Sequence, residues 1–232
     1  HQILQPVPAL CPVRLKEKWP LSARGLNLKN VSLTLLKDGT VVSRRFGELL
    51  LTHFGISGPI AMDMSRDIGE AYSTGNAALL LDLKPALPLD VLTARIGRDL
   101  EKYAGKMFRD CLKDLLPGGL IPAVVEKASI PPDKRGEYIS GEEKKELARL
   151  LKEFPLTPDG LLGFDWSIVT SGGVDLKEID PRTMGSKIVE NLYFAGEILD
   201  LDGPTGGFNL QMCWSTGFVA GDSAALSACR EN

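Results

Sequence analysis

The residues best placed to do chemistry lie in one run, Asn191-Leu-Tyr-Phe-Ala-Gly-Glu-Ile-Leu-Asp-Leu-Asp-Gly-Pro-Thr-Gly-Gly-Phe-Asn-Leu-Gln211. Gly196 and Glu197 end an apolar stretch, Leu192 to Ala195, that reads as a buried strand. Gly206 and Gly207 then lead through Phe208 into a helix expected to begin near Asn209. A carboxylate at a strand end can accept hydrogen bonds from ribityl or ribose hydroxyls. Unpartnered amides at a helix start, with the positive end of its dipole, favour an electron-rich carbonyl or a phosphate. The glycines let backbone approach a flat ligand where a Cβ would collide. Glycines between a strand and a helix also serve the turn alone.

A second glycine pair stands in Thr170-Ser171-Gly172-Gly173, after a strand read over Trp166 to Thr170. Alone, it is an ordinary tight turn. Two glycine pairs at strand ends in the last third, one of them feeding a helix, point to one shared planar ligand. No Gly-x-Gly occurs anywhere, so the G-x-G-x-x-G turn that grips a dinucleotide pyrophosphate is absent. These residues therefore read as the other wall of such a site. His53 could serve as a general acid or base, or be a hydrogen-bonded structural histidine. No G-x-S-x-G elbow accompanies Ser57 or Ser171, which argues against a hydrolase. Asp200 and Asp202 beside Glu197 do not have calcium-loop spacing, and no metal site is expected.

The elements that must position these residues fall into three stretches. Residues 1–84 are mostly strand and read as a small β-barrel-like domain. Val31 to Leu35 alternates apolar and polar residues, Asp38-Gly39 signals a hairpin, and Val41-Val42 opens the return strand. Glu48 to Thr52 reads as a further strand, Gly58 to Met64 as a short helix, and Ala77 to Leu83 as an apolar strand. Residues 85–158 form a helical subdomain with helices around Val91–Tyr103, Met107–Leu115 and Ala123–Ala128. A last helix opens on the capping box Ser140-Gly-Glu-Glu143. In residues 159–232 strands return, followed by the helix Leu210 to Ala225. Its apolar face (Leu210, Trp214, Gly217, Phe218, Gly221, Ala225) is expected to lie on a sheet. The fold class is α+β.

With 44% hydrophobic residues, 232 positions suffice for a sizeable core. A net charge of −3 without a basic block argues against nucleic acid, and no apolar run approaches membrane-spanning length. Cys11, Cys111, Cys213 and Cys229 are scattered, so they read as buried apolar residues of a cytoplasmic protein. The chain opens on His1, not Met, and is expected to be part of a longer protein.

Thr170 to Met184, Leu192 to Glu197 and Gly206 to Gln211 together resemble the bacterial NAD(P)/FAD-dependent oxidoreductases of the aminoacetone oxidase and BaiN-like flavoprotein group. Pro8-Ala9-Leu10 and Thr52-His-Phe-Gly-Ile-Ser-Gly58 resemble the inserted domain of that family. The resemblance implies that residues 159–232 are the C-terminal strands and helix of a Rossmann-like FAD domain, whose pyrophosphate-binding segment lies upstream. It places Gly196 and Glu197 at the ribityl and phosphate part of FAD, and Gly206, Gly207, Phe208 and Asn209 near the pyrimidine side of the ring. Thr170, Gly172 and Gly173 fall close to the isoalloxazine. It implies NAD(P)H and a small-molecule substrate as partners. The alternative is a folded, non-catalytic module that binds no flavin in this form.

Overall fold

A computed structural model describes residues 1–230. In chain order the strands and helices begin with β1 (Ile3–Ala9), β2 (Val13–Leu15), β3 (Asn27–Lys37), β4 (Thr40–Leu51) and β5 (Gly55–Ser57). Then come α1 (Pro59–Asp63), α2 (Ser65–Thr74), β6 (Ala77–Asp82), α3 (Leu89–Lys102), α4 (Phe108–Cys111), α5 (Ile121–Lys127) and α6 (Gly141–Lys152). The last group is β7 (Phe154–Leu156), β8 (Pro158–Leu161), β9 (Val169–Val174), β10 (Ile179–Asp180), β11 (Gly185–Ser186) and α7 (Phe208–Arg230). The chain is a mixed α/β protein of two compact units, Val13–Gly160 and His1–Pro12 with Leu161–Asn232.

The unit Val13–Gly160 is built on a seven-stranded sheet in the order β7-β6-β3-β4-β5-β2-β8. Its two edge strands are consecutive in sequence, with Thr157 alone between them, so the sheet must curl until its edges nearly meet. The ladder itself is not closed. Thr157 is held by Glu17, whose carboxylate accepts from the Thr157 N–H and hydroxyl at 3.0 and 2.8 Å. Leu33, Leu35, Leu49, Leu79 and Leu81 fill the concave face, as the period-2 alternation of β3 requires. The hairpin turn falls at Asp38-Gly39 between β3 and β4. β4 runs unbroken from Thr40 to Leu51 and so absorbs the separate strand expected from Glu48. The helical stretch is more broken than its apolar spacing suggests, since α4 is only four residues long, and in the β-rich stretch α2 follows α1 directly. The Ser140–Glu143 capping box opens α6 as expected.

The other unit begins with β1, which crosses the length of the sequence to pair antiparallel with β9. One of its hydrophobic clusters is Val174, Ile179, Met184, Leu199 and Ala220, and Ala9, Leu10, Cys11 and Val169 are buried in the same unit. Two expected elements are corrected here. Thr170-Ser171-Gly172-Gly173 is not a turn but the middle of β9, because β1 supplies a partner on which the extended backbone continues. Leu192 to Ala195 is not a buried strand: it makes one isolated bridge, Tyr193 with Gly185, and Leu192 is exposed. With backbone bonds only from the Met184–Ser186 side, no regular ladder forms.

Helix α7 starts at Phe208, close to the expected Asn209. The face expected to be buried is the exposed one, however. Trp214 is 67% and Phe218 75% accessible, and Leu210, Gly217, Gly221 and Ala225 are exposed with them. The packed side carries Asn209 and Ala220, with Thr216 half-buried beside them. Cys11 and Cys111 are buried as expected, Cys213 is half-buried, and Cys229 is exposed. No helix among the described residues is long and apolar enough to cross a membrane.

Candidate functional site

Four of the nine residues singled out from sequence come together on one cavity. Thr170, Gly172, Gly173 and Glu197 line an open depression of about 410 Å³, with His1 and Phe194 among the other walls. That volume lies in the range of small-molecule pockets and admits a ring system. The cavity belongs wholly to the unit containing α7.

β9 brings Thr170 and the glycine pair to this cavity, and the chain's own backbone explains why glycine stands there. A Cβ on Gly172 would lie 2.6 Å from the Gln5 carbonyl oxygen, and one on Gly173 would meet the Ile198 carbonyl. Both have positive φ, +99° and +132°. The close approach they permit is therefore strand against strand and turn against strand. The edge that remains open to the cavity is backbone.

Glu197 sits in a short 3-10 turn, Gly196–Ile198. Gly196 has φ +75°, and its N–H donates to the Thr216 hydroxyl at 2.9 Å, which ties the turn to α7. The Thr216 hydroxyl in turn donates to the Met212 carbonyl at 2.8 Å. This anchor, which the sequence did not signal, fixes where the Glu197 carboxylate projects. Glu197 has no hydrogen-bonding or ionic partner among the described residues, so both its oxygens can accept from a ligand. Phe194 meets the His1 ring edge-on at 4.8 Å, and His1 Nε2 lies 2.9 Å from the Ser186 hydroxyl.

The other five candidates do not line this cavity. Gly196 is turned towards α7, with Cys213 Sγ 3.6 Å from the place of a Cβ. The Asn209 amide is spent on the loop before the helix: it accepts from Gly203 N at 2.8 Å and donates to Gly203 O at 2.8 Å. Asn209 thus clamps the glycine loop through its side chain. Gly206 and Gly207 have φ +108° and +92°. No atom lies within 4 Å of a Cβ built on Gly207. Unlike Gly173, Gly207 has open space in front of it. Phe208 is exposed. His53, in the other unit, is exposed with its ring 4.8 Å from Phe54.

The charge around the cavity limits what this unit can hold. Its sequence carries four Lys and Arg against ten Asp and Glu. Two of the four cations are engaged locally, Arg182 with Asp180 and Lys187 with the Lys177 carbonyl. A diphosphate would find backbone amides here but few cations.

Residues 7–169 match the HI0933-like protein barrel and H2TH domain family. The chain belongs to this family of flavoproteins, as its resemblance to the BaiN-like group implies. It is 30% identical over 97% of its length to the 3-dehydro-bile acid delta(4,6)-reductase of Clostridium scindens, covering 55% of that protein. It is 32% identical over 99% of its length to the ribosomal RNA dihydrouridine synthase of Haemophilus influenzae, covering 53%. The enzyme of the same name from Escherichia coli is 28% identical over 81% of the chain. The chain thus spans about half the length of the curated relatives it matches.

Proposed function

We propose that this chain supplies one wall of the flavin site of an FAD-dependent oxidoreductase that saturates a carbon–carbon double bond conjugated to a carbonyl. The observation that carries the flavin reading is the cavity where the β9 backbone, the Glu197 carboxylate and Phe194 converge. The reaction class comes from the relatives. A delta(4,6)-reductase of a 3-dehydro substrate and a synthase of dihydrouridine both add two hydrogens across a double bond.

FAD, when bound, supplies the hydride. The chain's own residues bind and orient. Glu197, without a protein partner, accepts hydrogen bonds from ligand hydroxyls. The first amides of α7 have no partner within the helix and face developing negative charge. Gly207 leaves room for a flat ring beside that helix start. Phe194 and the β9 backbone exclude water from one side of the cavity. NAD(P)H is the proposed source of reducing equivalents, and the proposed compartment is the cytoplasm.

One observation favours a non-catalytic module instead. Gly172 and Gly173 are already required by Gln5 and Ile198, so their presence needs no ligand. Reducing the protein anaerobically with NADPH or NADH and adding a 3-oxo-4,6-diene steroid or uridine-containing ribosomal RNA separates the readings. The proposal expects a product heavier by two hydrogens from one of them. Flavin that reoxidises with oxygen alone and saturates neither contradicts the reaction class, and protein that takes up no flavin supports the module.

A further inference from the structure

The net charge of −3 is unevenly distributed. The unit containing α7 carries ten Asp and Glu against four Lys and Arg, whereas Val13–Gly160 carries 23 Lys and Arg against 20 Asp and Glu. The basic excess is local. Arg14, Lys16, Lys18, Arg24 and Lys29 stand within one short segment, all exposed, and Glu17 is the single acid among them. Glu17 spends both carboxylate oxygens on the Thr157 N–H and hydroxyl. None of the five cations is ion-paired to a described residue. In the helical stretch, by contrast, Lys102, Lys113, Lys134 and Lys152 each sit on a carboxylate.

The sheet gathers this segment instead of stringing it out. Arg14 of β2 pairs with Gly55 of β5, the next residue Ile56 pairs with Leu51 of β4, and Leu50 pairs with Asn27 of β3. The two ends of the segment therefore lie three strand spacings apart, about 14 Å. On β2 the neighbours of Arg14, Val13 and Leu15, are buried, so Arg14 points to the outer face. Glu48, opposite the bulge that contains Lys29, is held by the Asn27 amide at 2.7 Å. Like charges kept together without partners repel one another, and a polyanion relieves that repulsion.

We infer that the Arg14–Lys29 segment holds the phosphate backbone of a single-stranded RNA. The choice of RNA rests on the reaction class proposed above, which leaves a steroid or a uridine-containing RNA as substrate. A neutral steroid has no use for five free cations, whereas an RNA backbone matches them. The strand must be single because a uridine whose ring is to be reduced has to leave the base-paired stack. An anionic membrane fits less well. Leu21 is the one large apolar side chain exposed in the segment, and the 3-10 turn bearing it, Trp19–Leu21, is too short to insert as an amphipathic helix.

The test is fluorescence anisotropy of a labelled uridine-containing RNA 20-mer with the 232-residue protein, without flavin, over a salt series. Five phosphate contacts give a slope of log K against log salt of about −3.5. The triple variant Lys16→Gln, Lys18→Gln, Arg24→Gln should bind at least about tenfold more weakly at low salt, with a slope shallower by about 2. The charge-matched triple Lys113→Gln, Lys145→Gln, Arg149→Gln should stay within about twofold of the parent. No RNA binding by the parent, equal losses in the two triples, or phosphatidylserine vesicles bound more tightly than RNA would overturn the inference, the last in favour of a membrane. The flavin reading fails separately: a protein that binds this RNA but takes up no FAD contradicts that reading and leaves the RNA surface standing. A flavin-loaded protein that saturates the steroid and ignores RNA does the reverse.

Discussion

The carbonyl oxygen of Ile198 occupies the space that a Cβ on Gly173 would need. This approach fixes the turn bearing Glu197 against β9, and it makes Gly173 a structural requirement before any ligand arrives. Gly173→Ala would combine a left-handed φ of +132° with a backbone collision. It should cost about 2 kcal/mol or more, seen as a fall in Tm of roughly 4–8 °C. A variant as stable as the parent would contradict the described geometry.

Gly207 is the contrasting case, since nothing stands in front of it. At φ +92° a side chain strains the backbone even with open space in front, so Gly207→Ala should lower Tm by a few degrees, and in protein that remains folded it should weaken flavin retention by about tenfold or more, measured by equilibrium dialysis. Unchanged retention would remove the helix start from the site.

Asp82 and Lys152 form an ion pair of 2.6 Å with side chains 7% and 21% accessible. Lys152 Nζ also donates to the carbonyls of Lys84 and Leu87 at 3.2 and 3.1 Å, pinning the end of α6 to the chain after β6. Lys152→Met leaves Asp82 buried with Arg44 at 3.9 Å as its remaining ion-pair partner among the described residues. It should destabilise the protein by about 3 kcal/mol in urea denaturation, because an uncompensated buried charge remains.

The cap of α6 predicts a pH dependence. Lys134 Nζ lies 2.6 and 2.8 Å from the two Glu143 oxygens, and with the Ser140 N–H it holds that carboxyl below its usual value of 4.5. A folded value below the unfolded one stabilises fully above 4.5, and that contribution is lost as pH falls through the folded value. Glu143→Gln should therefore destabilise at neutral pH and lose its effect in acid. Ser140→Ala should cost about 1 kcal/mol. Denaturation curves at neutral pH and well below 4.5 check both.

What the sequence made legible was local chemistry. The Asp38-Gly39 hairpin, the Ser140–Glu143 cap and the start of α7 are each specified by two to four neighbouring residues, and each stands where the sequence puts it. Long-range pairing was not legible. β1 contains Pro6 and Pro8, which lack N–H donors and mask a strand that pairs with β9. Without β1, the Gly172-Gly173 pair reads as a turn. The orientation of α7 was misread for a related reason. Helical spacing identifies an apolar face but not whether residues within the chain cover it. At the site, sequence singled out Glu197 and the β9 glycines, which do meet, but gave no signal for Thr216 or Phe194. It also assigned Asn209 to the ligand, whereas its side chain clamps Gly203.

The most direct measurement is an FAD titration of protein containing residues 1–232 and any upstream residues of its frame, followed by visible absorbance, for the parent and for Glu197→Ala. The account predicts one FAD per chain for the parent and binding weakened by about tenfold or more for the variant, from loss of a charge-assisted hydrogen bond. Identical FAD affinity in the two proteins, or no flavin bound by the parent, would contradict it.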